Sequence, residues 1–164
     1  MCLTTAMLRA NIADKPITCY KVVLYITDLH TGERRFKSHI FNFDYKVGKA
    51  YELKPEDFFS ERPKNHTSMY YEVHEGFHSY NSVEYARTCY EGRRHFRQKE
   101  GRVMYRFALL KCEIPAGAYY WTSNYKFGGG EWSKFYQLCS NKIKVIAWKP
   151  LFGFFWRKKL KSCA

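Results

Sequence analysis

The chain has 164 residues, of which 46% are apolar, 26% charged and 19% aromatic. This length suits one globular domain, and the composition excludes a collagen, a coiled coil, a transmembrane bundle and a disordered acidic tail. Lys and Arg outnumber Asp and Glu by 28 to 15, which gives a formal net charge of +13.

The first predicted elements are β-strands. Residues 19–27 (CYKVVLYIT) are rich in β-branched and aromatic side chains that alternate between two faces, which is typical of a strand. The turn signal Thr31-Gly32 comes next and is followed by an extended run over 34–43, so we expect a hairpin. Residues 48–53 predict a further short strand.

The pattern changes at Asn81, after an extended run over 70–80. An Asn side chain can accept a hydrogen bond from the first turn of a helix, and Glu84 stands three positions later, so the pair predicts a capping box. Gly101 supplies a stop signal. The sequence therefore predicts one main helix over about 81–98.

The remaining predicted elements are strands. Residues 103–112 (VMYRFALLKC) are apolar on both faces, which indicates a central strand, and shorter strands are expected at 118–121 and 142–148. These elements predict an α+β fold, with an antiparallel or mixed sheet and one main helix packed on it. We expect a single domain over 1–148, followed by a basic aromatic tail over 149–164.

The cysteines and the apolar runs suggest the cell compartment. The six cysteines include no C-x-x-C pair, so we expect free thiols, which suit a reducing cytosol. The start of the chain does not fit a secretory signal, and no apolar run approaches the ~20 residues of a membrane-spanning helix. The expectation is a soluble cytoplasmic protein without a transmembrane segment.

The excess positive charge is concentrated in residues 87–111 and 132–164. Like charges repel in a compact protein, so such blocks are tolerated best when a polyanion neutralises them, and phosphate backbones are common polyanions. Aromatic side chains are interleaved with both blocks, as stacking on bases would need. The candidate nucleic-acid-binding residues are Arg93, Arg94, Arg97, Arg102, Lys142, Lys144, Arg157, Lys158, Lys159 and Lys161.

Other partners fit the same charge pattern. The run 151–161 (LFGFFWRKKLK) suits weak contact with an anionic membrane surface, or docking onto another protein with an acidic surface. A charge that serves only solubility is a further interpretation. The sequence predicts no oligomeric state.

One short motif points to an enzyme. His74-Glu75-Gly76-Phe77-His78 matches H-E-x-x-H, in which two histidines one helical turn apart bind zinc. The flanking residues favour a strand, where His74 and His78 would stand ~13 Å apart, too far to share one metal ion. A zinc hydrolase is kept as an alternative. With no catalytic residue identified otherwise, we expect a binding protein that holds no metal and no cofactor.

Three segments of the chain resemble an uncharacterised family of small basic proteins from gut Bacteroidales bacteria and their phages. The segments are 17–22 (ITCYKV), 76–80 (GFHSY) and 111–120 (KCEIPAGAYY). The resemblance covers about residues 1–147. It implies a bacterial host cell or a virion as the setting, allows a virion-associated or host-protein-interaction (anti-defence) role, and implies no activity.

A fainter resemblance is to ADP-ribosyltransferase-type folds. In those folds a strand bearing a serine precedes a helix, and a later strand delivers a catalytic glutamate; Ser79 could take the first position. Glu113 and Glu131 follow the helix, but neither lies in the usual E-x-E or Q-x-E context. This resemblance implies an NAD-using enzyme as the alternative to a binding protein.

Overall fold

The computed structural model describes residues 3–5, 10–38, 43–54, 71–73, 76–91, 97–123 and 135–151. Within them the chain forms β-strands and one short helix, α1 (Val83–Thr88). The strands are β1 (Leu3–Thr5), β2 (Asn11–Ile12), β3 (Ile17–Asp28), β4 (Arg34–Lys37), β5 (Asp44–Tyr45), β6 (Ala50–Glu52), β7 (Tyr71–Val73), β8 (Phe77–Tyr80), β9 (Arg97–Glu100), β10 (Val103–Ile114), β11 (Tyr119–Thr122), β12 (Gln137–Ser140) and β13 (Lys142–Pro150).

Two long antiparallel strands, β3 and β10, form the spine of the main sheet. They pair along their whole length, from Val103 opposite Asp28 to Ile114 opposite Ile17. Across the sheet the strand order is β2-β11-β12-β8-β3-β10-β13-β6, while β1 and β7 form a separate pair. Every pairing among the described strands is antiparallel.

The two halves of the β3–β10 ribbon have different neighbours. Residues 17–23 and 108–114 lie between β8 and β13, and we call this half the core end. Residues 24–28 and 103–107 lie between β4 and β9, and we call this half the outer end. The division matters because side chains of the same two strands meet different surroundings at each end.

The sheet curls into a half-barrel. Tyr51 of β6 and Phe77 of β8 are separated in the sheet order by three strands, which in a flat sheet would place them about 19 Å apart. Their ring centroids are 6.4 Å apart. The face to which both rings belong is therefore the concave face.

Alternation along the ribbon gives each face its own apolar core. On the concave face, Val23, Ala108 and Leu110 are buried with residues from most of the other strands. On the convex face, Val22 and Leu109 pack with Ala86 of α1. Both faces of the core end are thus covered, which explains why β10 is apolar on both sides.

The predicted α+β class with one main helix over about 81–98 is wrong. The helix covers only Val83–Thr88, and its N-cap is Ser82, whose hydroxyl accepts a hydrogen bond from the Tyr85 N–H at 3.0 Å. Asn81 is not the cap; its Oδ1 accepts from the Tyr136 N–H at 3.0 Å and ties β8 to the segment before β12. The described part of the chain is mostly β, and the single helix buries only Ala86.

Gly101 accounts for the difference. It is the first residue of a two-residue hairpin loop between β9 and β10, with a φ of +55°. A left-handed first residue is what a type II′ hairpin turn requires, and glycine adopts it at little cost. The glycine that predicts a helix stop therefore directs a strand reversal, and residues 97–100 pair with β10.

Most predicted strands are confirmed. The runs 19–27, 103–112 and 142–148 lie within β3, β10 and β13. The first hairpin is also confirmed: Gly32 has a φ of +73°, and β4 pairs with β3. No helix in the described part of the chain is both long and apolar enough to cross a membrane.

The sheet continues past Trp148, where the sequence places the start of a tail. β13 extends to Pro150, and Leu151 is fully buried, with its N–H donating to the Phe107 carbonyl at 3.2 Å. Residues 152–164 lie outside the described residues.

Candidate nucleic-acid interface

Four of the ten predicted basic residues belong to the described part of the chain. Arg97 lies on β9, opposite Arg106 of β10, and Arg102 is exposed in the β9–β10 loop. Lys142 and Lys144 lie on β13. The residues outside the described ranges are Arg93, Arg94, Arg157, Lys158, Lys159 and Lys161.

The two described pairs lie at opposite ends of the ribbon. Lys144 is the cross-strand partner of Glu113 near the end of β10. Arg102 immediately precedes β10, eleven residues before Glu113, which corresponds to about 35 Å of extended strand. Lys142 is matched by a carboxylate of the same chain, with its Nζ 2.8 Å from Glu52 Oε1. The structure does not bring these lysines together with Arg102.

A different set of residues comes together on the concave face of the outer end. Cross-strand partners in an antiparallel sheet project from the same face, so the register of β4, β3, β10 and β9 defines rows of neighbouring positions. The first row is Phe36, Tyr25, Arg106 and Arg97, and the second is Arg34, Thr27, Met104 and Lys99. Arg34, Lys99 and Arg106 are exposed.

Acidic side chains of these four strands occupy the other face. Asp28 and Glu100 are both cross-strand partners of Val103, and alternation assigns that row to the convex face. The Asp28 carboxylate also accepts hydrogen bonds from the N–H groups of His30 and Thr31, which lower its pKa. Every charged strand position on the concave face of the outer end is therefore basic.

Three aromatic rings adjoin these basic positions. The Tyr25 and Phe36 centroids are 5.4 Å apart in a stacked arrangement, and Trp148 lies 4.8 Å from Tyr25 and 5.0 Å from Phe36. All three rings are partly exposed. Trp148 comes from β13, and the positions between it and Tyr25 on this face include the small residues Ala108 and Val23. We call Tyr25, Phe36 and Trp148 the aromatic triad.

A second aromatic cluster lies next to the triad on the same face, where Tyr45 of β5 is the cross-strand partner of Phe36. Phe43 contacts Tyr45, Tyr51 and Phe77, with centroid separations of 4.9, 5.1 and 5.8 Å. Burial raises the pKa of the Tyr45 hydroxyl. Both this cluster and the triad pack against the same concave core, and the triad is the one that shares a cross-strand row with Arg106.

One lysine of the concave face is buried. Lys21 is 8% exposed; its Nζ donates to the His78 carbonyl at 2.6 Å and lies 5.5 Å from the centre of the Tyr45 ring. Desolvation lowers the pKa of this amine. Burial also raises the pKa of the neighbouring Cys19 thiol to about 11. Lys21 therefore belongs to the packed interior and not to the basic surface.

The H-E-x-x-H match falls partly on described residues. His78 lies on β8, partly buried, with its Nε2 3.6 Å from the Cys139 sulfur. His74 lies outside the described residues. Among the residues that the structure describes, no three His, Cys, Asp or Glu side chains are grouped so that they could hold a metal ion.

The serine and glutamate named for an ADP-ribosyltransferase-type site are placed apart. Ser79 is buried on the concave face, opposite Leu138. Glu113 lies opposite Thr18, on the convex face. The structure does not bring these two side chains into one site, and Glu131 lies outside the described residues.

Arg34, Lys99 and Arg106 are not among the candidate residues that the sequence predicts. Lys99 and Arg106 lie in the basic segment 87–111 and Arg34 lies outside it, so the count of charge along the chain does not group the three. They come from three strands, and strand register makes them neighbours. Arg106 does give a signal, because it interrupts the apolar run of β10 on the face that Ala108 and Leu110 otherwise bury.

Comparison of the chain with protein-family models, curated proteins and solved structures gives no match.

Proposed function

We propose that this protein binds nucleic acid through the concave face of its outer end and has no catalytic role. The observation that supports this most is the separation of charge across the sheet: Arg34, Lys99 and Arg106 share the concave face, while Asp28 and Glu100 belong to the other. Of the residues predicted from the sequence, Arg97 occupies the same cross-strand row as Arg106, and Arg102 lies in the adjoining β9–β10 loop. The resemblance to small bacterial and phage proteins supplies the proposed setting, the cytoplasm of a bacterial host.

The chemistry of this face suits phosphate. Arginine offers several N–H donors in a planar group that matches phosphate oxygens, and each cation that neutralises a phosphate releases a bound counterion. Such groups, with no carboxylate at the neighbouring strand positions that the structure describes, repel one another in the free protein, and this repulsion is relieved when a polyanion binds. With about five phosphate contacts, log K should fall with log salt at a slope of about −3 to −5.

The proposal is tested by fluorescence anisotropy with a labelled 20-mer oligonucleotide. We expect the affinity of the wild-type protein to fall about a hundredfold or more between 50 and 200 mM NaCl. A change of less than tenfold over that range, or no binding at 50 mM, contradicts the proposal.

A pair of double variants locates the interface. Lys99→Ala/Arg106→Ala and Lys142→Ala/Lys144→Ala each remove two positive charges, from the outer end and the core end respectively. The first should weaken binding at least tenfold and make the salt slope shallower by about 2, while the second should stay within about twofold of wild type. Equal losses in the two variants would show that net charge alone, and not this face, determines binding.

A further inference from the structure

We infer that the nucleic acid bound here is single-stranded, and that its bases stack on the aromatic triad of Tyr25, Phe36 and Trp148. This inference rests on the proposed function and names the class of ligand. It depends on rings that adjoin the basic positions of the concave face and remain partly exposed there.

The triad has the arrangement that stacking needs. Its rings are held by one another, with centroids 4.8 to 5.4 Å apart, so little side-chain freedom is left to lose when a base binds. Phe36 and Tyr25 occupy the same cross-strand row as Arg106. The arginine positions of this row lie about 5 to 10 Å from the rings, one or two strands away. The phosphate of a nucleotide whose base stacks on the rings would therefore be within reach of these arginines.

A duplex does not suit this face. Paired bases are stacked on each other inside the helix, so their faces are hidden, and only their edges can be read in the grooves. A single strand exposes its bases, and aromatic side chains bind them whatever their sequence because every base has a π face. The two rows of the outer end span about 14 Å across four strands, room for two or three nucleotides, as on other sheets that bind RNA.

The second aromatic cluster provides an internal comparison. Phe43 packs against three other rings, just as Phe36 packs within the triad, and both side chains are partly buried against the same concave core. Phe36 shares a cross-strand row with Arg106, whereas the rings around Phe43 reach towards β6 and β8. Phe36→Leu and Phe43→Leu therefore make the same chemical change, and only the first removes a ring beside the basic positions. Leucine keeps an apolar side chain and loses the π face.

The test measures the affinity of both variants for one labelled 12-mer, single-stranded and as a blunt duplex, at 100 mM NaCl. Phe36→Leu should weaken single-strand binding by about fivefold to a hundredfold and leave duplex binding within twofold, whereas Phe43→Leu should change neither. Single-strand affinity within twofold of wild type in Phe36→Leu, or a duplex that competes equally, overturns the inference. If salt-dependent binding that requires Lys99 and Arg106 persists in that case, the proposed function stands without it.

A second measurement does not depend on the folding of Phe36→Leu. Stacking of a base on Trp148 should quench tryptophan emission when the single strand is added to the wild-type protein. Trp148→Phe keeps an aromatic ring but removes the indole, so most of the quenching should be lost. Quenching that is unchanged in Trp148→Phe contradicts a base on the triad.

Discussion

The core end and the outer end of the β3–β10 ribbon are made from the same two strands but differ in what lies beside them. At the core end, β8 and β13 extend the sheet and both faces are buried. At the outer end, β4 and β9 are only four residues each, and the concave face bears exposed arginines and a lysine. The difference shows how one half of a long antiparallel strand pair can stabilise the fold while the other half provides a binding surface.

Charge follows the same division. Two basic residues of β13 at the core end have acidic neighbours, since Lys142 contacts Glu52 and Lys144 lies opposite Glu113. Arg106, on the concave face of the outer end, has Tyr25 and Arg97 as its cross-strand partners. Positive charge balanced by carboxylates contributes modestly to stability, whereas unbalanced charge attracts an anion.

The largest expected effect is a difference in unfolding free energy between a variant of the core end and a variant of the outer end. Leu110 is fully buried at the core end, so Leu110→Ala should lower the free energy of unfolding by about 3 kcal/mol through lost burial and the cavity left behind. Arg106→Ala at the exposed outer end should change it by less than about 0.5 kcal/mol. Urea denaturation followed by circular dichroism measures both. Similar losses in the two variants would show that the outer end belongs to the same stabilising core.

Alkaline pH should also affect the core end selectively. An unfolded cysteine loses its proton near pH 9, while Cys19 in the folded protein keeps its proton up to a pKa of about 11 because burial disfavours the thiolate. Between these values the unfolded chain binds fewer protons than the folded one, so stability falls as pH rises. The titration of Cys19 should lower the free energy of unfolding by about 2 to 3 kcal/mol between these two pH values.

The check compares wild type with Cys19→Ala by urea denaturation at pH 8, 9, 10 and 11. Cys19→Ala lacks this thiol, so its stability should decline less steeply above pH 9, although the buried Tyr45 and Tyr80 hydroxyls, whose pKa values are also raised, add the same decline to both proteins. Parallel curves would mean that the Cys19 thiol is accessible to water in the folded protein. The arginines of the outer end stay charged throughout this range.

The ribbon can be predicted from sequence because its signal is local. β3 alternates over many residues, and β10 is apolar on both faces, so each pattern fits a strand better than any other element. The helix is predicted too long because Asn81 and Gly101 each suit two structures. An Asn can cap a helix or join neighbouring strands, and a Gly can end a helix or form a hairpin loop, and only tertiary pairing decides between these outcomes.

The interface can be predicted only in part. Arg97 and Arg102 stand out because they lie in a dense basic segment. The count of charge groups Lys144 with them, although Lys144 lies opposite Glu113, about 35 Å from Arg102 in the direction of the strands. The same count does not find Arg34, because the segment around it is close to neutral overall. Register, which depends on pairings between distant parts of the chain, determines which charges are neighbours.

The smallest expected effect concerns the turn that positions the outer end. Gly101 has a φ of +55°, and a Cβ added there would meet no atom within 4 Å, so the cost of Gly101→Ala is backbone strain of about 1 to 2 kcal/mol without a steric clash. Gly48 offers a matched control, since its φ is +83°, its surroundings are equally open, and its N–H bonds to Val145 at the core end.

Both alanine variants should lower the free energy of unfolding by a similar amount in urea denaturation. Only Gly101→Ala should also weaken oligonucleotide binding, by about two- to fivefold, because strain in this loop disturbs the pairing of β9 that places Arg97 and Lys99 beside β10. Should Gly48→Ala weaken binding as much, the effect would follow from global stability. The β9–β10 hairpin would then have no separate part in forming the interface, and the distinction between the two ends would hold for packing alone.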